Sequence, residues 1–133
     1  MERIVLVDSS IYIQLLRRGV DPSAALLEQM ETLNLVTCGV VQVEVLRGLR
    51  NPNIKRKLEE FMNVMIFVTT DNRLWAETVE LAWKLDRKGR VLPPTDLLIA
   101  ACALRSGAEV LTLDKHFEDI PDLPLTKVPE EWR

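Results

Sequence analysis

Four acidic residues of this chain stand where a solvated surface does not account for them. Asp8 follows the apolar run Ile4-Val5-Leu6-Val7, and Asp114 follows Val110-Leu111-Thr112-Leu113. Each has an ordinary explanation on its own, Asp8 as a helix cap and Asp114 as a turn residue. Glu44 lies in Val40-Val41-Gln42-Val43-Glu44-Val45-Leu46, where nearly every neighbour is apolar. Asp96 opens the most apolar helical segment, Leu97-Leu98-Ile99-Ala100-Ala101-Cys102-Ala103-Leu104. Its plain alternative is a favourable placement against the helix dipole. A carboxylate that faces inward needs a partner or a metal, because unpaired burial is costly. Clustered carboxylates repel one another unless a proton or a cation neutralises them. One shared metal site accounts for all four. An all-oxygen donor set selects hard ions such as Mg²⁺ or Mn²⁺. Zinc is disfavoured, since there is one histidine and the two cysteines, Cys38 and Cys102, lie 64 positions apart.

The elements that must position these acids alternate between strand and helix. Ile4–Val7 predicts a strand buried on both faces. Ser9 and Ser10 can cap a helix carrying Ile11, Leu15 and Leu16, which Gly19 ends. Asp21-Pro22 opens a second helix, with Leu26, Leu27, Met30 and Leu33. Leu35–Cys38 predicts a second strand, Val41–Arg50 and Ile54–Met62 two helices, and Val64–Val68 a third strand. Asp71 caps a long helix to about Lys88, with Trp75, Val79 and Trp83 on one stripe. That stripe reads as core packing, or alternatively as a dimer interface. Pro93-Pro94-Thr95 introduces a helix from Asp96 to Arg105, closed by Gly107. Val110–Leu113 and Leu125–Val128 predict the last two strands, with the tail from Pro121 packing as an edge. The expectation is an α/β fold: a single domain over 1–133 with a parallel sheet of about five strands and helices on both faces. In such sheets ligands bind beyond the carboxyl ends of strands, where Asp8 and Asp114 both fall.

Composition narrows the class. At 133 residues the chain suits one domain and needs no disulfide or metal merely to fold. Cys38 and Cys102 sit in apolar runs and read as buried small hydrophobes. No apolar run approaches a membrane span or a signal peptide, so the expected setting is cytoplasmic, with no membrane partner. The formal net charge of −3 argues against a non-specific nucleic-acid binder. Without the four acids assigned to metal, however, the remainder sums to +1. Nine basic residues fall in two short segments: Arg47, Arg50, Lys55, Arg56 and Lys57, then Lys84, Arg87, Lys88 and Arg90. These are solvated helix faces or a phosphate-contacting rim. Only seven residues are aromatic, so no stacking platform for bases is visible.

Four segments in order resemble the PIN-domain ribonucleases, specifically the VapC-like toxins of toxin–antitoxin pairs. They are Val7-Asp8-Ser9-Ser10, Glu44-Val45-Leu46-Arg47-Gly48, Pro94-Thr95-Asp96-Leu97-Leu98-Ile99-Ala100-Ala101 and Leu111-Thr112-Leu113-Asp114-Lys115-His116-Phe117. The resemblance spans essentially the whole chain. It implies a PIN-like fold with Asp8, Glu44, Asp96 and Asp114 meeting in one catalytic pocket. It implies an endoribonuclease dependent on Mg²⁺ or Mn²⁺ that leaves 5′-phosphate and 3′-hydroxyl ends, usually a homodimer inhibited by a cognate antitoxin. Asp8 and Asp96 would be the principal metal ligands, Glu44 would bind directly or through water, and Asp114 would complete a second-metal side. Ser9 and Thr112 match the family's supporting hydroxyls. Many members carry an acid just before the Phe of the fourth segment, where this chain has His116. The RNA contacts expected here are Arg47, Arg50, Lys88 and His116. An antitoxin helix could lie in an apolar groove near Ile11, Leu15 and the Trp75/Trp83 stripe. Two rival readings are a non-catalytic PIN-like binding module and a phospho-acceptor receiver domain. The latter leaves Glu44 and Asp96 without a role and does not expect two helices between strands one and two.

Overall fold

The computed structural model describes residues 3–133. Its centre is a four-stranded, fully parallel sheet made of β1 (Val5–Val7), β2 (Leu35–Cys38), β3 (Ile66–Val68) and β4 (Glu109–Leu111), in the order β3-β2-β1-β4. Every residue of β1 and β2 is buried, as expected of strands covered on both faces. Six helices flank the sheet: α1 (Ser9–Arg17), α2 (Pro22–Gln29), α3 (Gly39–Leu46), α4 (Pro52–Asn63), α5 (Asn72–Arg87) and α6 (Pro94–Ser106). Cys38 and Cys102 are buried free thiols within the core.

The order of strands creates the site. From β1 the chain crosses to β2 on one side, and β4 later returns to pair with β1 on the other. The carboxyl ends of β1 and β4 therefore flank a topological switch point, the place where open α/β sheets bind ligands. Asp8 leaves β1 directly into α1, and Asp114 follows three residues beyond the end of β4.

Strand β4 stops at Leu111, short of the expected Leu113. Polar groups divert the chain there: the Leu113 amide donates to Ser10 Oγ (3.0 Å) and the Asp114 amide to Thr112 Oγ1 (2.9 Å). The expected fifth strand is a single parallel bridge between Val110 and Leu125. It rests on the Val110 amide donating to the Pro124 carbonyl and the Thr126 amide donating to the Val110 carbonyl, both at 2.9 Å. Pro124 and Pro129 have no amide proton with which to lengthen the ladder.

Two sequence expectations about apolar residues change. Leu33 lies outside α2, which ends at Gln29, and is exposed in a 3₁₀ turn over Thr32–Asn34. The stripe of Trp75, Val79 and Trp83 is not core: these residues are 49%, 67% and 55% exposed. The inward face of α5 is the line one position away, with Leu74, Thr78 and Leu85 buried and Leu81 packed against the core. A one-residue offset turns a helix by about 100°, enough to carry the tryptophans out of the core. The Arg87 guanidinium lies over the Trp83 ring, 4.8 Å from its centroid.

Candidate metal and active site

Asp8 is 3% exposed and caps α1 in an extended conformation (φ −70°, ψ 153°). Its Oδ2 accepts from the Ser10 amide (3.4 Å), from Ser10 Oγ (2.7 Å) and from Thr112 Oγ1 (2.8 Å). Ser10 Oγ and Thr112 Oγ1 are 3.3 Å apart. Each hydroxyl has a single proton, and the shorter bonds to Asp8 use both. Two hydroxyls from different elements thus fix one carboxylate oxygen.

Glu44, half-buried on α3, accepts from Ser9 Oγ at 3.0 Å. Ser9 and Ser10 therefore divide their work: one full residue of helical rotation points Ser9 to Glu44 and Ser10 to Asp8. From sequence alone Ser9 matches a supporting hydroxyl and Ser10 only a helix cap. The Asp-Ser-Ser run contains the signal for both.

Asp96, in the first turn of α6, has a side chain 14% exposed, and its Oδ2 lies 3.1 Å from His116 Nδ1. Asp114 caps a short 3₁₀ turn over Lys115–Asp119, accepting from the His116 amide at 2.9 Å. The same imidazole nitrogen lies 3.2 Å from Asp114 Oδ1. One donor atom each from Asp96, Asp114 and His116 falls within 4.8 Å of the others. Asp8 and Glu44 stand outside that group; Thr112 bridges Asp8 to the Asp114 amide, and Ser9 ties Glu44 to the start of α1 next to Asp8.

Charge crowding is visible in the protonation chemistry. Burial pushes the Asp96 carboxyl above its ordinary value, and the negative charges of Asp114 and Asp8 push the same way. The hydrogen bond from His116 opposes this without offsetting it. His116 is itself raised, first by its hydrogen bond to Asp96 and then by the Asp114 charge. Carboxylates with one imidazole suit a hard or borderline divalent ion such as Mg²⁺ or Mn²⁺, the imidazole being better matched to Mn²⁺. The residues present fit such a group.

The basic segments are partly neutralised within the molecule. Lys55 pairs with Glu59 (2.7 Å), Lys57 with Asp21 (2.6 Å), Lys84 with Glu80 (4.0 Å) and Arg90 with Asp119 (2.6 Å). Arg47, Arg50 and Lys88 are exposed and, among the described residues, pair with no acid and touch none of the four acids. The expected groove also moves. Ile11 and Leu15 are core residues, each 1% exposed. An open cavity of about 400 Å³ lies between α1 and α3, lined by Ile13, Leu16, Val45 and Leu49, with Arg17 and Glu44 in its wall. No described helix is long and apolar enough to cross a membrane.

A parallel sheet with its switch point walled by acids from β1, α6 and the β4 loop defines the PIN domain. The PIN-domain family model matches residues 5–123, and the chain belongs to that family. Among curated proteins it is similar to Ribonuclease VapC21 of Mycobacterium tuberculosis, 31% identical over 106 residues covering 77% of this chain and 75% of the relative. It is also 24% identical over 122 residues to Ribonuclease VapC11 of the same species, covering 88% and 91% of the two chains. Its fold matches DNA-bound VapBC from Salmonella typhimurium with a TM-score of 0.74 at 21% identity, covering 94% of this chain and 98% of that one. VapBC-1 of nontypeable Haemophilus influenzae gives 0.73 at 24% identity, covering 93% and 97%.

Proposed function

We propose that residues 1–133 act as a single PIN-like domain that hydrolyses RNA phosphodiester bonds with Mg²⁺ or Mn²⁺, as the toxin of a toxin–antitoxin pair. The observation that carries this is the convergence of Asp96, Asp114 and His116 beside the buried Asp8 at the switch point of the sheet. The ribonuclease relatives and the fold likeness to VapBC complexes support the same reading.

Asp8 and Asp96 are the principal ligands in this reading, with Asp114, Glu44 and His116 completing the set directly or through water. A divalent ion held there would lower the pKa of water and offset charge developing on the phosphoryl oxygens. Ser10 and Thr112 hold Asp8 in one orientation, so little reorganisation is needed when substrate arrives. Ser9 does the same for Glu44. His116, exposed at the mouth between Asp96 and Asp114, is placed to meet a ligand or a phosphate oxygen. Arg47, Arg50 and Lys88, the cations of the two basic segments expected to contact RNA, pair with no acid among the described residues.

The antitoxin reading is supported by the α1–α3 cavity, which reaches Glu44 and would admit an apolar helix side. Self-association is supported by the exposed Trp75–Val79–Trp83 stripe. The deciding experiment is cleavage mapping on total cellular RNA with and without Mg²⁺, beside Asp8→Asn. Metal-dependent cleavage by the wild type alone is expected; undiminished cleavage by purified Asp8→Asn overturns the site. A host that tolerates the fully active protein at high level overturns the toxin role.

A further inference from the structure

A second cavity, about 310 Å³, borders the acid cluster on the side of β4. Thr112 and Asp114 form the wall it shares with the site, and Lys115, Lys127 and Arg133 line the rest, with Leu125 and Val128 contributing apolar surface. Among the described residues Lys115, Lys127 and Arg133 make no side-chain ion pair, whereas Lys55, Lys57, Lys84 and Arg90 of the expected basic segments do. Glu118 is the one acid in the lining besides Asp114. With Asp114 committed to a cation, three positive charges face one negative charge.

We propose that this cavity is a nucleotide subsite. It takes the RNA phosphate next to the scissile one on Lys115 and Lys127, with that nucleoside resting on Leu125, which is 39% exposed. Three features point there. The shared Thr112–Asp114 wall puts the cavity directly beside the acids, where the strand must continue. Its cations are unspent, so a phosphate adds an ion pair without breaking one. Its volume is near the lower limit of small-ligand sites, about 300 Å³, which suits one nucleotide and not a helix. This inference rests on the ribonuclease reading and adds where the strand runs.

The test measures fluorescence anisotropy of a short labelled single-stranded RNA of mixed sequence against the full chain, across a potassium chloride series. Ca²⁺ replaces Mg²⁺ and the RNA is checked for integrity. Lys115→Ala with Lys127→Ala is expected to weaken binding about tenfold and flatten the log–log salt slope by about 1.4, two contacts' worth for a single strand. Lys115→Arg with Lys127→Arg is expected to retain the slope. Arg73→Ala with Lys84→Ala, whose charges are spent on Glu77 and Glu80, is expected to leave it unchanged. An unchanged slope in the double alanine variant, with wild type still binding, overturns the subsite and leaves the ribonuclease reading intact. An equal loss in the Arg73/Lys84 control also overturns it, as general electrostatics. Wild type that neither binds nor cleaves RNA overturns both.

Discussion

Asp8 and Asp21 begin the first two helices in the same way, each as an aspartate followed two residues later by a serine. Asp8 accepts from the Ser10 amide and hydroxyl at 3.4 and 2.7 Å, and Asp21 from those of Ser23 at 3.0 and 2.8 Å. The two carboxylates part company at their next partner. Asp21 Oδ2 meets Lys57 Nζ at 2.6 Å, in a half-exposed setting. Asp8 is buried, its next partner is the Thr112 hydroxyl, and its charged neighbours are acids. A capping motif fixes where a carboxylate points; what crosses from another element decides whether its charge is spent. A lysine makes Asp21 structural; Asp8, bonded to hydroxyls and facing the like charge of Asp96, is left available to a cation.

Replacing each acid by asparagine tests that difference, because asparagine caps a helix about as well as aspartate does. Asp8→Asn is expected to lower metal-dependent RNA cleavage at least a hundredfold, about 2.7 kcal/mol of barrier, while the circular dichroism of the fold persists. Asp21→Asn is expected to leave the initial cleavage rate within about twofold. A large rate loss in Asp21→Asn would erase the distinction between the two caps.

The next effect is on metal-linked stability. Mn²⁺ at a hundredfold excess over its dissociation constant is expected to stabilise the wild type by about 2.7 kcal/mol, read as a rise in Tm. Asp96→Asn is expected to lose most of that rise. Without metal the order reverses. The folded-state pKa of Asp96 lies above its unfolded value, so the folded chain holds this proton more tightly and loses stability as pH rises from the ordinary aspartate range to the raised value. At neutral pH the metal-free Asp96→Asn protein is therefore expected to melt above the wild type. An unchanged or lower melting temperature would show that the acids do not strain one another.

Much of this site was legible in the chain. Four apolar residues followed by Asp8, and an apolar helix opened by Asp96, carry their own placement, because burial on both faces leaves an acid only the strand end or the helix start. Other parts needed coordinates. Which serine serves which acid depends on one step of helical rotation. The outward face of Trp75 and Trp83 hinges on a one-residue offset that spacing alone leaves open, since Leu74, Leu81 and Leu85 make an equally apolar line. Ion pairs such as Lys57–Asp21 and Arg90–Asp119 join residues far apart in sequence, so the two basic segments looked freer than they are. His116 sits two positions from Asp114 and is exposed, yet only the path of α6 brings Asp96 against its ring.

The smallest effect separates the two caps by the sign of their pH dependence. Burial alone would raise the Asp21 carboxyl, but the hydrogen bonds from Lys57 and Ser23 outweigh it and hold the group below its ordinary value. Its contribution is thus present above the ordinary aspartate range and is lost as pH falls through the depressed folded value, opposite to Asp96. The pair is partly exposed, so solvent screening leaves about 0.5 kcal/mol or less. Denaturation of Asp21→Asn is expected to show a loss of that size at neutral pH, shrinking in high salt and vanishing in acid. Added Mn²⁺ is expected to leave the loss unchanged, because Lys57 has already neutralised the charge that a metal would otherwise seek. A loss that Mn²⁺ repairs would place Asp21 with Asp8 after all.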